Sequence, residues 1–191
     1  MWTPLGDVAR VSTGYPFRRK VEAEEGGDIV LIQIKDVDST EGVSATGTIV
    51  LRNEGGKYEK HLLEEGDLLF QARGSRHPVA VVEGGARGIA ATGLLVIRPN
   101  HQRVTSRYLA WWLNHPRSQT KLTSVARGTY IPFISKGELD AFLVALPALA
   151  VQARIVEVDR LQRLQEKLSA QFQQLNQQRL HAATWMAATK K

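Results

Sequence analysis

Short runs of Val, Ile and Leu, each bounded by Gly, Asn or Asp, recur through the first 150 positions of the chain. Val8–Ser12, Ile29–Ile34, Thr48–Leu51, Asp67–Ala72, Val79–Val82, Gly88–Ala91 and Leu94–Arg98 have the composition and length of strands. Glu83-Gly84-Gly85-Ala86-Arg87-Gly88 predicts a hairpin loop between two of them. It lacks the Lys-Ser/Thr pair of a phosphate-cradling loop, and no long helix follows it. Tyr108, Leu109, Trp111, Trp112 and Leu113 break the alternation and predict a helix from Thr105 to Asn114. Its aromatic face packs in the core, and Thr105 or Ser106 is the N-cap. Pro116 ends that helix, Arg117–Val125 can form a second, and Ser135-Lys136-Gly137-Glu138 has the spacing of a capping box.

From Ala150 to Thr189 the texture changes. Gly and Pro vanish, Gln, Leu, Ala and Arg dominate, and the pattern predicts about 40 helical residues, roughly 60 Å at 1.5 Å per residue. Ile155, Val158, Leu161, Leu164, Leu168, Phe172 and Leu175 follow at steps of three or four, one apolar stripe too long to bury against a 150-residue domain. The stripe therefore predicts a partner helix, although Gln171, Gln174, Gln177 and Gln178 dilute its later turns. The expected organisation is α+β: a β-rich domain with a few short helices over 1–148, then a long helix over 149–191.

Charge sharpens this picture. The 191 residues carry 25 Lys and Arg against 19 Asp and Glu, a net +6 that favours a polyanionic partner. Residues 84–137 hold no acid, while Arg87, Arg98, Arg103, Arg107, Arg117, Lys121, Arg127 and Lys136 are all basic. That asymmetry predicts phosphate-backbone contacts from Arg98, Arg103, Arg107, Arg117, Lys121 and Arg127, with Lys20 beside them. Three polar, Gly-containing loops supply side chains suited to base edges: Gly14–Lys20, Gln71–His77 and Arg127–Pro132. Phe17, Arg18, Arg19, Gln71, Arg73, Ser75, Arg76, Thr129 and Tyr130 are the candidates there, with Lys35 added.

Other chemistry is poorly supported. Zero Cys excludes a disulfide scaffold, a thiolate nucleophile and cysteine-held metal. His61, His77, His101, His115 and His181 are scattered without ligand spacing and read as surface or core residues. Asp36 and Asp38 suggest a carboxylate pair, but no Glu-x-Lys follows and a strand-end turn fits better. The longest apolar run, near Phe142–Val151, is about half the ~20 residues of a bilayer span. No basic-then-apolar leader opens the chain, and the expectation is a soluble, cytoplasmic protein without a metal of its own.

An ordered set of motifs resembles the DNA-specificity subunits of Type I restriction–modification enzymes. Leu5-Gly6-Asp7-Val8-Ala9 leads to Gly14 and Phe17, then Ile32-Gln33-Ile34-Lys35-Asp36-Val37 and Glu65-Gly66-Asp67-Leu68-Leu69-Phe70 with Arg73-Gly74. Tyr108–Asn114, Gly128-Thr129-Tyr130-Ile131-Pro132, Leu146-Pro147-Ala148-Leu149, Gln152 and Ile155-Val156 complete it. The resemblance implies a target recognition domain that reads half of a split DNA site in a host-defence system, followed by a spacer helix that forms an antiparallel coiled coil with a second helix. It implies a non-catalytic chain. S-adenosylmethionine would serve methyltransferase (modification) subunits docked on it, and ATP a restriction subunit. Usual members carry two recognition domains and two helices, whereas this chain has one of each. A half-length form that homodimerises through the helix stripe follows. Two other readings remain: an adaptor or decoy that docks on a methyltransferase through its helix, and a nucleic-acid enzyme using Asp36 and Asp38.

Overall fold

The computed structural model describes residues 1–191 except 18–20, 40–41, 44–48, 85–86, 129 and 190–191. Strands β1 (Trp2–Pro4), β2 (Ala9–Thr13), β3 (Ile29–Ile32), β4 (Val37–Asp38), β5 (Gly42–Val43) and β6 (Ile49–Leu51) come first. They are followed by β7 (Leu68–Gln71), β8 (Val79–Val81), β9 (Gly88–Ala90) and β10 (Leu94–Pro99). Helices α1 (Ser106–Asn114), α2 (Pro116–Val125) and α3 (Lys136–Asp140), strand β11 (Leu143–Ala145) and helix α4 (Leu149–Thr189) complete the chain. The architecture is α+β, β-rich with short helices and one long C-terminal helix, as the hydrophobic pattern predicts.

The main sheet has the order β2-β10-β7-β8 and is antiparallel throughout. Its alternating side chains build a core on each face. Leu69, Ala80, Leu94 and Val96 pack with Ile32, Val37, Val82 and Ala90, while Val11, Leu68, Phe70 and Ile97 are buried on the opposite side. The second sheet, β6-β3-β9, pairs β3 antiparallel with β6 and parallel with β9. Strand β1 pairs with β11, and β4 with β5.

Three expectations change. Strands β8 and β9 do not form a hairpin: β8 pairs with β7, and β9 joins β3 in the other sheet, while 85–86 of the expected hairpin loop lie outside the described residues. The free edge of β8 is already occupied, because the Asn114 side-chain amide accepts from Val79 N–H (3.0 Å) and donates to Val79 O (2.7 Å). The run 29–34 stops at Ile32, since the Asp36 carboxylate accepts the Gln33 N–H at 2.9 Å and starts a 3₁₀ turn. Finally, Trp111 and Trp112 are only half-buried. The buried face of α1 comes from Tyr108, Leu109 and Leu113, while Trp112 meets Trp2 edge-to-face at 5.5 Å and donates to Leu143 O at 3.3 Å.

Local signals explain the helices. Thr105 Oγ1 accepts the Tyr108 N–H, Pro116 occupies the first turn of α2, and Ser135 with Glu138 forms the capping box of α3. The chain divides into two compact units, Met1–Gln152 and Ala153–Lys191. In the first, fully buried Gln152 accepts from Thr105 N–H (3.0 Å) and donates to Arg103 O (3.0 Å) and Pro147 O (2.9 Å). The second is helix alone, with Val158, Leu161, Leu164, Leu168, Phe172 and Leu175 exposed and Ile155 half-buried. Among the described residues no helix is long and apolar enough to cross a membrane.

Candidate nucleic-acid interface

Register brings the three nominated loops to one end of the main sheet. Leu94 lies opposite Gln71 and Leu95 opposite Thr13, so β2, β7 and β10 all meet their loops there. Gly14 N–H donates to Leu94 O (3.0 Å) and Tyr15 N–H to Ala90 O (2.7 Å). Thr92 Oγ1 donates back to Tyr15 O at 3.0 Å. Ala72 N–H donates to Gly93 O (2.9 Å), Ile134 N–H to Ala72 O (2.9 Å), and Gly74 N–H to Pro132 O (2.9 Å). Arg127 and Phe133 exchange two backbone bonds of 2.8 Å. The loops after β2, after β7 and before α3 thus form one hydrogen-bonded assembly around the turn at 90–93.

Two glycines make that approach possible. A Cβ on Gly14 would stand 2.1 Å from the Ala91 carbonyl oxygen. Gly93 has φ +97°, and its Cβ would meet Ile34 Cδ1 at 2.7 Å. The second contact draws the 3₁₀ turn of Ile34, Lys35 and Asp36 to the same end.

Several expected reading residues are presented there. Tyr130 is 98% exposed, and Arg73, Ser75 and Arg76 are exposed beside Gly74. Lys35 is exposed as well. Gln71 is half-buried, its Nε2 donating to Arg73 O at 2.7 Å, which shapes the loop. Phe17 is not presented. Its ring packs with Tyr15 (4.8 Å) and Tyr58 (6.3 Å) in a cluster beneath the β6-β3-β9 sheet residues Ile29, Leu31 and Ile89. Arg18, Arg19, Lys20 and Thr129 lie outside the described residues.

A support behind the second loop escaped the sequence. His77 is fully buried and stacks on Phe70 with ring centroids 5.6 Å apart and planes within 2°. Its Nδ1 lies 2.9 Å from Gln71 O, which sets the neutral tautomer with hydrogen on Nδ1, and Nε2 has no partner among the described residues. Burial pushes its pKa below the ordinary value, partly opposed by that backbone hydrogen bond. Gln119 clasps the same residue, accepting from His77 N–H and donating to His77 O. Nothing in sequence spacing marks a glutamine 42 positions away as the partner of that loop.

The acid-free run of the sequence is not an acid-free surface. Arg98 donates to Asp67 (2.8 and 2.7 Å) and Glu64 (2.6 Å), and the Asp67 hydrogen bonds raise its pKa. Arg87 pairs with Asp28 and Glu59, Arg107 with Glu83 (3.2 Å), Arg127 with Glu138, and Lys136 with Asp140 (3.0 Å). Arg103 donates to Asp7 O at 2.8 Å. Lys121 lies over the Trp2 ring at 5.4 Å, and Arg117 is exposed. Arg98 also stands four residues along β10 from Leu94, about 14 Å from the loop end at ~3.4 Å per residue. Asp36 serves as the turn cap described above, and among the described residues no group of three or more His, Asp or Glu is placed to hold a metal ion.

This arrangement, a β-rich unit with its loops gathered at one sheet end and a long following helix, has the fold of Type I specificity subunits. It is similar to the HsdS subunit from Thermoanaerobacter tengcongensis, with TM-score 0.57 and 20% identity over 89% of this chain and 38% of that one. It is similar to the Type-I restriction-modification system S subunit from M. genitalium, with TM-score 0.57 and 14% identity over 87% and 41%. A chain from a structure describing complex assembly and conformational transition of the type I R-M system gives TM-score 0.59 and 21% identity over 89% and 39%. The chain therefore spans about two fifths of the length of these proteins. The sequence profile of the Type I restriction modification DNA specificity domain matches residues 2–178, and the chain belongs to that family. A comparison with curated proteins returns no match.

Proposed function

We propose that this chain reads one half of a bipartite double-stranded DNA site as a specificity subunit, with methylation carried out by partner subunits. The observation that carries this reading is the convergence of three loops on the 90–93 turn, which sets exposed Arg73, Ser75, Arg76 and Tyr130 at one end of a rigid sheet. Arg and Ser can hydrogen-bond base edges, and an exposed aromatic ring can stack or wedge. Lys35 flanks them, and exposed Arg117 and Lys121 remain for phosphates. The partners on this reading are modification subunits using S-adenosylmethionine and, where present, a restriction subunit using ATP.

The helix joins two such readers by antiparallel pairing with a second copy. Its apolar stripe is exposed in the isolated chain, which favours a helical partner. The helix acids Glu157, Asp159 and Glu166 all lie in its first half, and the one charged side chain of its second half is Arg179. Antiparallel packing brings Arg179 alongside the acid-bearing half, whereas parallel packing sets it against its own copy. A two-fold dimer calls for inverted half-sites. Titrating a labelled duplex at two salt concentrations tests the DNA reading. Binding that falls steeply with salt supports it, and absent or salt-independent binding contradicts it.

A further inference from the structure

The edge strand β2 forms one wall of a cleft of about 340 Å3, near the lower end of the ~300–1,000 Å3 typical of ligand sites. Arg10 and Ser12 project into it from the same side of the sheet as their register partners Arg98 and Val96. Lys60, His61 and Leu62 form the facing wall, and Ala90 and Val96 contribute apolar surface. That wall is fixed, because Leu62 bridges Ile89 and the His61 ring meets Tyr15 edge-to-face at 5.0 Å.

The cations here are not treated alike. Two arginines directly opposite across a strand pair repel each other, and one neutralising partner for each would be the stable arrangement. Arg98 has two, the buried Asp67 and Glu64. Arg10 and Lys60 have no carboxylate partner among the described residues. A guanidinium, an ammonium, an imidazole and the Ser12 hydroxyl thus line a small cleft with an apolar side, a donor set matched to the oxyanion and sugar of a phosphodiester. The cleft reaches Gly14 and Tyr15, which are hydrogen-bonded to the 90–93 turn, so it adjoins the loop end.

We propose that Arg10, Lys60, His61 and Ser12 hold a backbone phosphate of the same DNA duplex, beside the loops that read its bases. This rests on the DNA-reading function above and moves the phosphate grip away from the internally paired arginines of 84–137.

The test compares full-length protein with Arg10→Ala, Lys60→Ala and the double variant, all shown to be folded by circular dichroism. Duplex affinity is measured from 0.05 to 0.3 M salt. The double variant should bind every duplex more weakly by an order of magnitude or more. Its salt slope should be shallower by about 0.9, the value for one lost phosphate contact, with the preferred sequence unchanged. Wild-type binding with an unaltered slope in the double variant overturns this assignment and leaves the DNA reading standing. Absence of wild-type binding overturns both. In a parallel arm at constant ionic strength, inorganic phosphate that saturates the wild type but not the double variant, with no change in duplex slope, overturns the backbone assignment in favour of a free anion.

Discussion

The side-chain amide of Gln119 closes on the main chain of His77, accepting its N–H at 3.2 Å and donating to its carbonyl at 2.9 Å. Two residues on, Asn114 does the same for Val79. Together the α1–α2 corner stands in for the missing neighbour of edge strand β8 and fixes the return of the loop that presents Arg73, Ser75 and Arg76.

Gln119→Ala removes both bonds at a buried residue and also the donor to Leu113 O. The expected loss is about 2 kcal/mol, seen as a lower urea midpoint at unchanged slope. The preference for one DNA sequence over others should weaken with it.

His77 gives the fold a pH dependence of known sign. Burial favours its neutral form, so the unfolded chain binds the extra proton first. This contribution is complete above the unfolded pKa of about 6.5 and is lost as pH falls through that value toward the depressed folded one. Urea midpoints measured between pH 7.5 and 5.5 should decline in the wild type. They should decline less in His77→Phe, which retains a ring to stack on Phe70.

Arg98 stabilises the domain through Asp67, whose side chain is 1% exposed and would be left charged without its principal partner. Arg98→Ala should cost about 2 kcal/mol, below the range for a fully buried pair because the arginine is partly solvated. Arg98→Lys should recover little of it, since one ammonium cannot replace the forked donors. Thermal melts of the three proteins decide this.

Gly14→Ala drives a methyl group to 2.1 Å from the Ala91 carbonyl oxygen, which only separation of the two segments relieves. A loss of about 3 kcal/mol follows, or a Tm lowered by roughly 6–12 °C. Calorimetry reads it directly.

The helix stripe makes a separate prediction. Leu168→Glu with Phe172→Glu places carboxylates on exposed apolar positions of the second unit. Sedimentation at micromolar concentration should show a dimer for the wild type and a monomer for the double variant, with each unit still folded.

Much of this was legible in the sequence because strands, caps and the long helix are written in local periodicity and short-range spacing. The Thr105 cap, the Ser135–Glu138 box and most strand runs are of that kind. Relations across the chain were not. The cations of 84–137 look unopposed in sequence, yet Asp28, Glu59, Glu64, Asp67 and Glu83 return to meet three of them through the tertiary fold. Phe17 sits among basic residues in sequence but packs with Tyr58, 41 positions away. Whether β8 and β9 form a hairpin depended on which edge of β8 Asn114 had taken. The three loops were individually visible; that turn 90–93 joins them was not.

Selection of duplexes from a randomised pool by the purified full-length chain tests the central claim most directly. The account predicts enrichment of one short motif, recovered as an inverted repeat at fixed spacing, and a changed motif for Arg76→Ala and Tyr130→Ala. A pool that emerges no different from the input, with retention indifferent to salt, would contradict it.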